Sequence, residues 1–231
     1  MGSEVLFRDL GTMDYRPCRE LQLQLFERAL EAKRLGREVE PTVLLVEHRP
    51  VYTLGHNGKA ENLLVGKEFL ASRGAELVPI ERGGDITFHG PGQLVCYPIV
   101  DLEQFRLGLR QYIEVLERTV IEVVAAWGIK GEILTDAPGV WVTDQSPVRK
   151  VCAIGVKCSR FVTMHGFALN VTTDLEWFDL INPCGFTDRG ATSIERELAR
   201  RGERLDDKAA LMTQVKALVA ERLKENINVN K

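Results

Sequence analysis

One cysteine of the sequence, Cys184, stands between a proline and a glycine in the segment Asn-Pro-Cys-Gly. Pro183 cannot continue a strand ladder and Gly185 favours a turn, so the pattern predicts an exposed bend at Cys184. The thiolate is the nucleophilic form of cysteine, and a nearby cation or a helix N-terminus lowers the thiol pKa from its usual value of ~8.5. Cys184 is therefore a candidate nucleophile, and a half-buried loop cysteine is the alternative interpretation of the same pattern.

Two side chains elsewhere in the chain could activate such a thiol. His165, in Met-His-Gly-Phe-Ala-Leu-Asn, would form a Cys-His pair, and Lys150, at the head of an apolar strand pattern, would form a Cys-Lys pair. Alternate residues of a strand share a face, so Lys150 is expected on the same side as Cys152 and Ile154. A lysine on an apolar face either extends its ammonium to water at an edge or is desolvated with a lowered pKa. The sequence alone does not choose between the two pairs.

A third candidate is the glycine-rich segment Arg82–Gln93, with the sequence RGGDITFHGPGQ. Its glycines lack a Cβ atom, which permits positive φ angles and lets a ligand lie against bare backbone. Together with Arg82 and His89 they predict a binding loop, whereas a tight connection between strands is the alternative. The segment contains neither G-x-x-x-x-G-K-[ST] nor G-x-G-x-x-G, so no nucleotide-binding motif of the usual kind is present.

Composition excludes several classes of protein. The net charge of -3 over 231 residues argues against a general nucleic-acid binder, and no apolar run is long enough to span a membrane. The N-terminus lacks a basic segment followed by an apolar one, so a cytoplasmic protein is expected. The five cysteines are scattered and odd in number, which predicts reduced thiols. A zinc site is not favoured, because C-x-x-C and H-x-x-x-H pairs are missing.

The elements that must position these residues alternate along the chain. Strand patterns are separated by helices predicted from Asp14 to about Lys33, near 67–72, from about 107 to 127, at the capping-box spacing of Thr192 and Glu195, and from Asp206 or Asp207. A hairpin turn is expected at Ser159 and Arg160, and His48 and His56 are expected to be surface or turn residues. No repeat or linker marks a boundary, so residues 1–231 are predicted to form a single domain of α/β (α+β) class, with a mostly antiparallel sheet and packed helices.

Three separated motifs together resemble one family, the lipoyl(octanoyl) transferases. They are RGGDITFHGPGQ with Tyr97-Pro98, then KVCAIGV from Lys150, then HGFALN from His165 with Pro183-Cys184-Gly185. The resemblance covers most of the chain, from about His48 to Ser193. It implies the fold of the biotin/lipoate protein ligase catalytic domain, in agreement with the predicted sheet and helices.

The resemblance also implies roles for individual residues. The family's nucleophile, which carries the acyl group as a thioester, matches Cys184, and its activating lysine matches Lys150. The acyl-binding positions of the family match Arg82, Gly83, Gly84, Asp85, Ile86, Thr87, Phe88, His89, Ala153, Ile154, Gly155, Gly166, Phe167 and Ala168. A long, narrow apolar tunnel is expected along these positions.

The implied activity is acyl transfer in lipoate biosynthesis, without a cofactor or metal. Octanoyl-acyl carrier protein would donate an octanoyl (or lipoyl) group to Cys184. The acceptor would be a lysine ε-amine on the apo lipoyl domain of a 2-oxoacid dehydrogenase or on the glycine cleavage H protein. Because this carrier protein is acidic, the cations Arg149, Lys150, Lys157 and Arg160 could form a docking patch, or they could simply solvate a hairpin.

Three other functions remain open at the level of sequence. An ATP-dependent lipoate or biotin ligase shares the implied fold but would need a nucleotide site and no essential cysteine. A cysteine acyl hydrolase would use Cys184 with His165 and transfer the acyl group to water. A catalytically silent acyl-binding module would form no covalent adduct.

Overall fold

The computed structural model describes residues 4–135, 137–182 and 189–228. Short 3₁₀ segments at Ala60–Asn62, Leu102–Phe105 and Leu175–Leu180 connect some of the longer elements. None of the helices in these ranges combines the length and the apolar character that a membrane span requires. The strands and helices are, in chain order, β1 (Leu6–Met13), α1 (Tyr15–Arg34), β2 (Thr42–His48), β3 (Val51–Leu54), α2 (Lys67–Ser72), β4 (Glu76–Pro79), β5 (Ile86–His89), β6 (Gln93–Ile99), α3 (Leu109–Ala125), β7 (Gly131–Leu134), β8 (Ala137–Val142), β9 (Arg149–Ser159), β10 (Val162–Asn170), β11 (Gly190–Ala191), α4 (Ile194–Arg200) and α5 (Lys208–Ile227).

The main sheet has the order β1-β2-β6-β10-β9-β8-β7, and β11 pairs with β9. Neighbouring strands are antiparallel except for β1 with β2 and β11 with β9, which are parallel. A second, three-stranded sheet has the order β4-β3-β5. The mixed, mostly antiparallel α/β fold predicted from the sequence is confirmed.

Side-chain alternation in the central strands assigns each face of the main sheet to a different core. In β2, Val43 and Leu45 join the core under α3 and α5, whereas Leu44 and Val46 join the core under α1. β6 divides its residues between the same two cores. Because helices cover both faces, these strands are buried throughout and their sequences are almost continuously apolar.

The β9–β10 hairpin turns through Arg160 and Phe161, whose φ angles are 49° and 64°. Two consecutive left-handed residues match the right-handed twist of the strands that they join. Ser159 pairs with Val162 and is therefore the last strand residue. The turn predicted at Ser159 and Arg160 lies one residue later in the structure.

Two helix starts were predicted from capping aspartates. Asp207 accepts hydrogen bonds from the N–H groups of Ala209 and Ala210, both at 2.9 Å, and α5 begins directly after it. Asp14 precedes α1, but its side chain makes no capping hydrogen bond and pairs with Arg49 at 3.2 Å. An aspartate before a helix therefore marked both starts, although only one of the two caps its helix.

The cap of α4 differs from the predicted one. Ser193 is the N-cap, because its hydroxyl oxygen accepts the N–H of Arg196 at 3.1 Å. The capping box predicted at Thr192 and Glu195 is wrong. The Thr192 hydroxyl instead donates to the buried carboxylate of Glu197.

The α3 helix offers a direct test of the larger core. Leu116 is fully buried there, whereas Leu109 in the same helix is 44 % exposed. Leu116→Ala is expected to lower the free energy of unfolding by about 2–5 kcal/mol, since it removes buried methyl groups and leaves a cavity. Leu109→Ala, the matched control, should change it by about 0.5 kcal/mol or less. Urea unfolding measures both, and equal losses would contradict this assignment of the core.

Candidate active site

A cavity of about 390 Å³ is lined by residues from both sheets. The strands β5, β6, β8, β9 and β10 contribute to its wall, together with Tyr15 of α1 and residues on either side of the segment 183–188. Apolar side chains that line the cavity include Ile80, Ile86, Val95, Ile154, Phe167 and Phe178. The cavity is thus large enough, and apolar enough on part of its wall, to enclose a small apolar group.

Most of the residues predicted to bind the acyl group lie at this cavity. Gly83 and Phe88 are the exceptions, and the other twelve line the wall. Phe88 faces the core of the small sheet, where it stacks on Trp177 with ring centroids 5.0 Å apart. Gly83 donates its N–H to the carbonyl of Val156 at 3.0 Å. Cys184, the predicted nucleophile, lies outside the residues that the structure describes.

The glycines of this region make room for the protein's own backbone. A Cβ atom on Gly155 would lie 2.9 Å from the carbonyl oxygen of Gly83, and one on Gly166 would collide with the carbonyl of Cys96. Gly84 has a φ angle of 87°, which an L side chain rarely adopts. A tight connection, which was the alternative interpretation of the glycine-rich segment, therefore explains part of its composition.

Arg82 braces that segment against the small sheet. Its side chain is buried, and one terminal nitrogen donates to the carbonyl of Thr53 at 2.8 Å and to the Thr53 hydroxyl at 3.0 Å. The other terminal nitrogen donates to the carbonyl of Gly83 at 3.0 Å. The guanidinium thus bonds the backbone of the glycine-rich segment to that of β3, which is a positioning role that the sequence did not indicate.

Lys150 lies at the edge of the cavity. Its Nζ donates to the carbonyl of Pro138 at 3.1 Å and lies 4.5 Å from the centroid of the Trp141 ring. The guanidinium of Arg189 lies 5.5 Å from the centroid of the same ring. A lysine in this strand was expected either to extend its ammonium to water at an edge or to be desolvated, and the arrangement agrees with the first of these.

His165 lies at a different part of the cavity from Lys150. It pairs with Val156, six residues along β9 from Lys150. At ~3.3 Å per strand residue, the two positions are about 20 Å apart along the sheet. A single group therefore cannot contact both side chains closely.

The chain on both sides of residues 183–188 is anchored near the cavity. On the preceding side, the N–H of Asn182 donates to the carbonyl of Asn62 at 2.8 Å. The amide of Asn62 in turn donates to the Asp85 carboxylate at 2.5 Å. Asp85, whose role the sequence did not explain, thus supports the loop that holds Asn182.

On the following side, β11 pairs with the start of β9. Gly190 lies opposite Arg149, and Ala191 lies opposite Lys150. The N–H of Thr192 donates to the carbonyl of Lys150 at 2.9 Å. The chain leaving the segment that contains Cys184 is therefore bonded to the backbone of Lys150.

A cluster of histidine and tyrosine rings at the cavity was not predicted from the sequence. His48 was expected at the surface, but it is 0 % exposed, so that expectation is wrong. Its ring lies 5.2 Å from the ring of Tyr15, 6.0 Å from that of His89 and 5.8 Å from that of Tyr97. The signal was present in the strand period, because His48 shares the face of Leu44 and Val46, which α1 covers.

The histidines of this cluster are held neutral by burial. Nδ1 of His48 donates to the carbonyl of Met13 at 2.9 Å, and in the neutral ring Nε2 then accepts from the Tyr97 hydroxyl at 2.9 Å. Burial lowers the pKa of His48 to about 4 and that of His165 to about 3. For His89, burial and the neighbouring His48 also lower the pKa well below 6.5.

Two polar atoms of this cluster are buried with no hydrogen-bond partner among the described residues. They are the Tyr15 hydroxyl and Nε2 of His165, and both residues line the cavity. Buried polar groups in native proteins nearly always have a partner. The wall along the expected apolar tunnel therefore also carries polar groups.

The cations expected to form a docking patch do not lie together. Arg149 is only 3 % exposed and is paired with Glu197 and Asp144. Arg160 lies in the hairpin turn at the other end of the eleven-residue strand β9, and Lys157 pairs with Glu81 at 3.5 Å. A docking patch that includes Arg149 is therefore excluded.

Among the described residues, no group of three or more His, Cys, Asp or Glu side chains could hold a metal.

Buried His48 should make stability depend on pH. The unfolded chain takes up a proton near the ordinary pKa of 6.5, whereas the folded protein does so only near about 4, so stability falls as the pH drops between these values. His48→Gln is expected to reduce the loss of unfolding free energy between pH 7 and pH 5 by about 2 kcal/mol. Urea unfolding of each protein at pH 7 and at pH 5 measures this loss of unfolding free energy. Exposed His56→Gln should leave the loss unchanged, and equal losses in all three proteins would contradict the prediction.

Comparison with known proteins identifies the family of this chain. Residues 20–222 match the family described as the lipoyl protein ligase A/B catalytic domain. An octanoyltransferase of Porphyromonas gingivalis is 54 % identical over 86 % of this chain, which spans 41 % of that relative's length. An octanoyltransferase of Parabacteroides distasonis is 52 % identical over 83 % of this chain and 88 % of its own.

A solved structure shares the fold at low sequence identity. It is a putative lipoate protein ligase from Thermoplasma acidophilum with bound lipoic acid, and it matches 98 % of this chain and 86 % of its own with a TM-score of 0.62 and 13 % identity. The predicted resemblance to lipoyl(octanoyl) transferases is confirmed by the sequence matches. The chain belongs to the lipoyl protein ligase A/B catalytic-domain family.

Proposed function

We propose that this protein transfers an octanoyl, or lipoyl, group from acyl carrier protein to a lysine of a lipoyl domain through a thioester on Cys184. The octanoyltransferases that it resembles at about half identity support the reaction. One structural observation favours the mechanism: Lys150 lies at the cavity edge, and the chain that follows Cys184 is bonded to the backbone of Lys150. A lysine near a cysteine is one way to stabilise a thiolate.

The first half-reaction forms the acyl-enzyme. The Cys184 thiolate attacks the thioester carbonyl of the donor, a new carbon–sulfur bond forms, and the carbon–sulfur bond to the donor's prosthetic group breaks. The released thiolate takes up a proton from the Lys150 ammonium, which leaves Lys150 as a neutral amine. Lys150 as an ammonium favours the attacking thiolate, and the thioester itself supplies the activation that a ligase would obtain from ATP.

The second half-reaction transfers the acyl group to nitrogen. The neutral ε-amine of the acceptor lysine attacks the Cys184 thioester, and the Cys184 thiolate leaves as the amide bond forms. The amine nitrogen must lose a proton in this step, and Lys150 as a neutral amine is the proposed acceptor. His165 is less suited, because it pairs with β9 six residues from Lys150 and the chain after Cys184 is held beside Lys150.

The cavity wall accounts for an acyl substrate. Ile80, Val95, Ile154 and Phe167 offer an apolar surface beside the backbone of Ala153 and Gly155. Burial of roughly six methylenes at ~0.8 kcal/mol each would contribute about 5 kcal/mol, which favours octanoyl strongly over short acyl groups.

The partners follow from the chemistry of the two half-reactions. The donor is octanoyl-acyl carrier protein, and the acceptors are apo lipoyl domains of 2-oxoacid dehydrogenases and the glycine cleavage H protein. The free thiols of Cys18, Cys96, Cys152 and Cys158 agree with a reducing compartment, so we assign the reaction to the cytoplasm.

Intact-protein mass spectrometry tests the nucleophile. Wild type incubated with octanoyl-acyl carrier protein should gain one hydroxylamine-labile octanoyl group and lose it when an apo lipoyl domain is added. Cys184→Ala should gain none, whereas Cys158→Ala, the matched control, should behave as wild type because Cys158 lies outside the cavity lining. An adduct on Cys184→Ala would refute the assigned nucleophile. Octanoylation of the lipoyl domain that requires ATP and free octanoate would instead identify a ligase.

The pH dependence of alkylation tests the activating group. Lys150→Met is expected to raise the apparent pKa of Cys184 toward the ordinary ~8.5, because the neighbouring cation is lost. Lys157→Met changes another lysine of β9, which pairs with Glu81, and should leave that pKa unchanged. Iodoacetamide labelling followed by peptide mass spectrometry measures the profile. A rise in His165→Gln without one in Lys150→Met would favour the Cys-His hydrolase.

A further inference from the structure

Arg149, the residue directly before Lys150, is a buried cation with every donor bonded. Its Nε donates to Glu197 at 2.9 Å, and Nη2 donates to Glu197 at 3.1 Å and to Asp144 at 2.6 Å. Nη1 donates to the carbonyls of Gln145 and Pro147, both at 3.3 Å. A guanidinium has five N–H donors, so the fork is fully used. Arg149 therefore contacts no substrate, although it neighbours a residue proposed to act in the reaction.

The partners of Arg149 connect three segments around Lys150. Glu197 belongs to α4 and is 6 % exposed, and it also accepts the hydroxyl of Thr192. Thr192 in turn holds the carbonyl of Lys150 through its N–H. The loop 144–147 also bonds to this guanidinium. The Arg149–Glu197 ion pair therefore joins the start of β9, the chain just after β11 and the helix α4.

A second chain of hydrogen bonds leads from this point to the cavity. The backbone carbonyl of Thr192 accepts from the side-chain Nδ2 of Asn170 at 2.9 Å. The side-chain Oδ1 of Asn170 accepts from Nε2 of Gln93 at 2.9 Å. Gln93 accepts from Nδ1 of His89 at 2.8 Å. All of these residues are buried, so the cavity wall and the Arg149 ion pair form one hydrogen-bonded network.

Stability alone does not require an ion pair at this place. Replacing a buried ion pair by well-packed apolar residues is often neutral or stabilising, whereas its fixed geometry restricts the groups that it joins. The planar fork of arginine fixes direction as well as distance, and it stays charged at every pH at which the enzyme works.

We propose that the Arg149–Glu197 pair positions Lys150, holding its ammonium where it can stabilise the Cys184 thiolate. This inference rests on the proposed function, because it assumes that Lys150 activates Cys184. Arg149 is thus a positioning residue, and its loss should act on the thiol through Lys150. Both members of the pair should matter in the same direction, although they carry opposite charges.

That last point separates positioning from simple electrostatics. If Arg149 acted only as a distant positive charge, Arg149→Met would raise the pKa of Cys184 and Glu197→Gln, which removes a negative charge, would lower it. If the pair positions Lys150, both substitutions should raise the pKa. Arg149→Lys keeps the charge without the fork and should give an intermediate rise.

The experiment measures alkylation of Cys184 against pH in a Cys158→Ser background, since the other described cysteines are buried. Arg149→Met and Glu197→Gln are each expected to raise the pKa of the Cys184 thiol by about one unit, which slows labelling about tenfold at a pH well below that pKa. Lys33→Met is the matched control. Lys33 lies in the last turn of α1 and forms an ion pair of 2.6 Å with the buried Asp101, so this substitution also removes the cation from an ion pair with a buried carboxylate. Thermal unfolding is measured for each variant, and Lys33→Met should lose stability with an unchanged labelling profile.

Each outcome has a defined meaning. Shifts of opposite sign in Arg149→Met and Glu197→Gln, or wild-type profiles in both, would overturn the positioning role and leave the pair structural. If Arg149→Met does not fold, Arg149→Lys and Glu197→Gln carry the test. The labelling experiment needs no acyl substrate and is therefore independent of the acyl-enzyme experiment. Absence of an acyl-enzyme in wild type would refute the proposed function, whereas the labelling profiles alone test the positioning role of Arg149. A wild-type profile in Lys150→Met would refute the role of Lys150 in the proposed function.

Discussion

The backbone of the glycine-rich segment rests directly on the backbone of β9, and the cavity exists because of that contact. The N–H of Gly83 donates to Val156, and Gly155 leaves room for the Gly83 carbonyl. This contact joins the small sheet to the main sheet, and Arg82 reinforces it by holding the Gly83 carbonyl to Thr53 of β3. A side chain at Gly155 would separate the two surfaces and open the site. The glycines thus act first on the fold, and only through the fold on a ligand.

The titratable groups near the cavity differ from one end of β9 to the other. At the start of the strand, Lys150 and Arg189 lie close to the Trp141 ring. The chain that follows the segment containing Cys184 pairs with this same end of β9. Farther along, His48, His89 and His165 are buried and held neutral by desolvation. A reaction that develops negative charge on sulfur therefore has the cations Lys150 and Arg189 at one end of the cavity, while the histidines farther along stay neutral over the whole physiological pH range.

Local sequence signals predicted much of the fold. The short helix at Lys67–Ser72, the Asp207 cap and the β9–β10 hairpin each depend on neighbours in sequence, and the structure contains all three. The features that escaped prediction depend on distant partners. His48 is buried because α1 covers its face, and Arg149 is buried because Glu197 lies across from it, 48 residues later. For the site, twelve of the fourteen residues predicted to bind the acyl group line the cavity. The roles of Cys184 as nucleophile and of Lys150 as its activating group remain predictions.

Much of the cavity wall on the β9 and β10 side is formed by residues with little or no side chain: Ala153, Gly155, Gly166 and Ala168. Another part of the wall, outside the main sheet, is built from larger side chains such as Ile80, Ile86 and Phe178. These two walls differ in how they can evolve. A substitution at Gly155 or Gly166 displaces a strand or a loop before it reshapes the cavity, so the main-chain wall tolerates little change. Diversification of the enclosed substrate within this architecture must come from the side-chain wall, where volume can change one methylene at a time without moving the backbone.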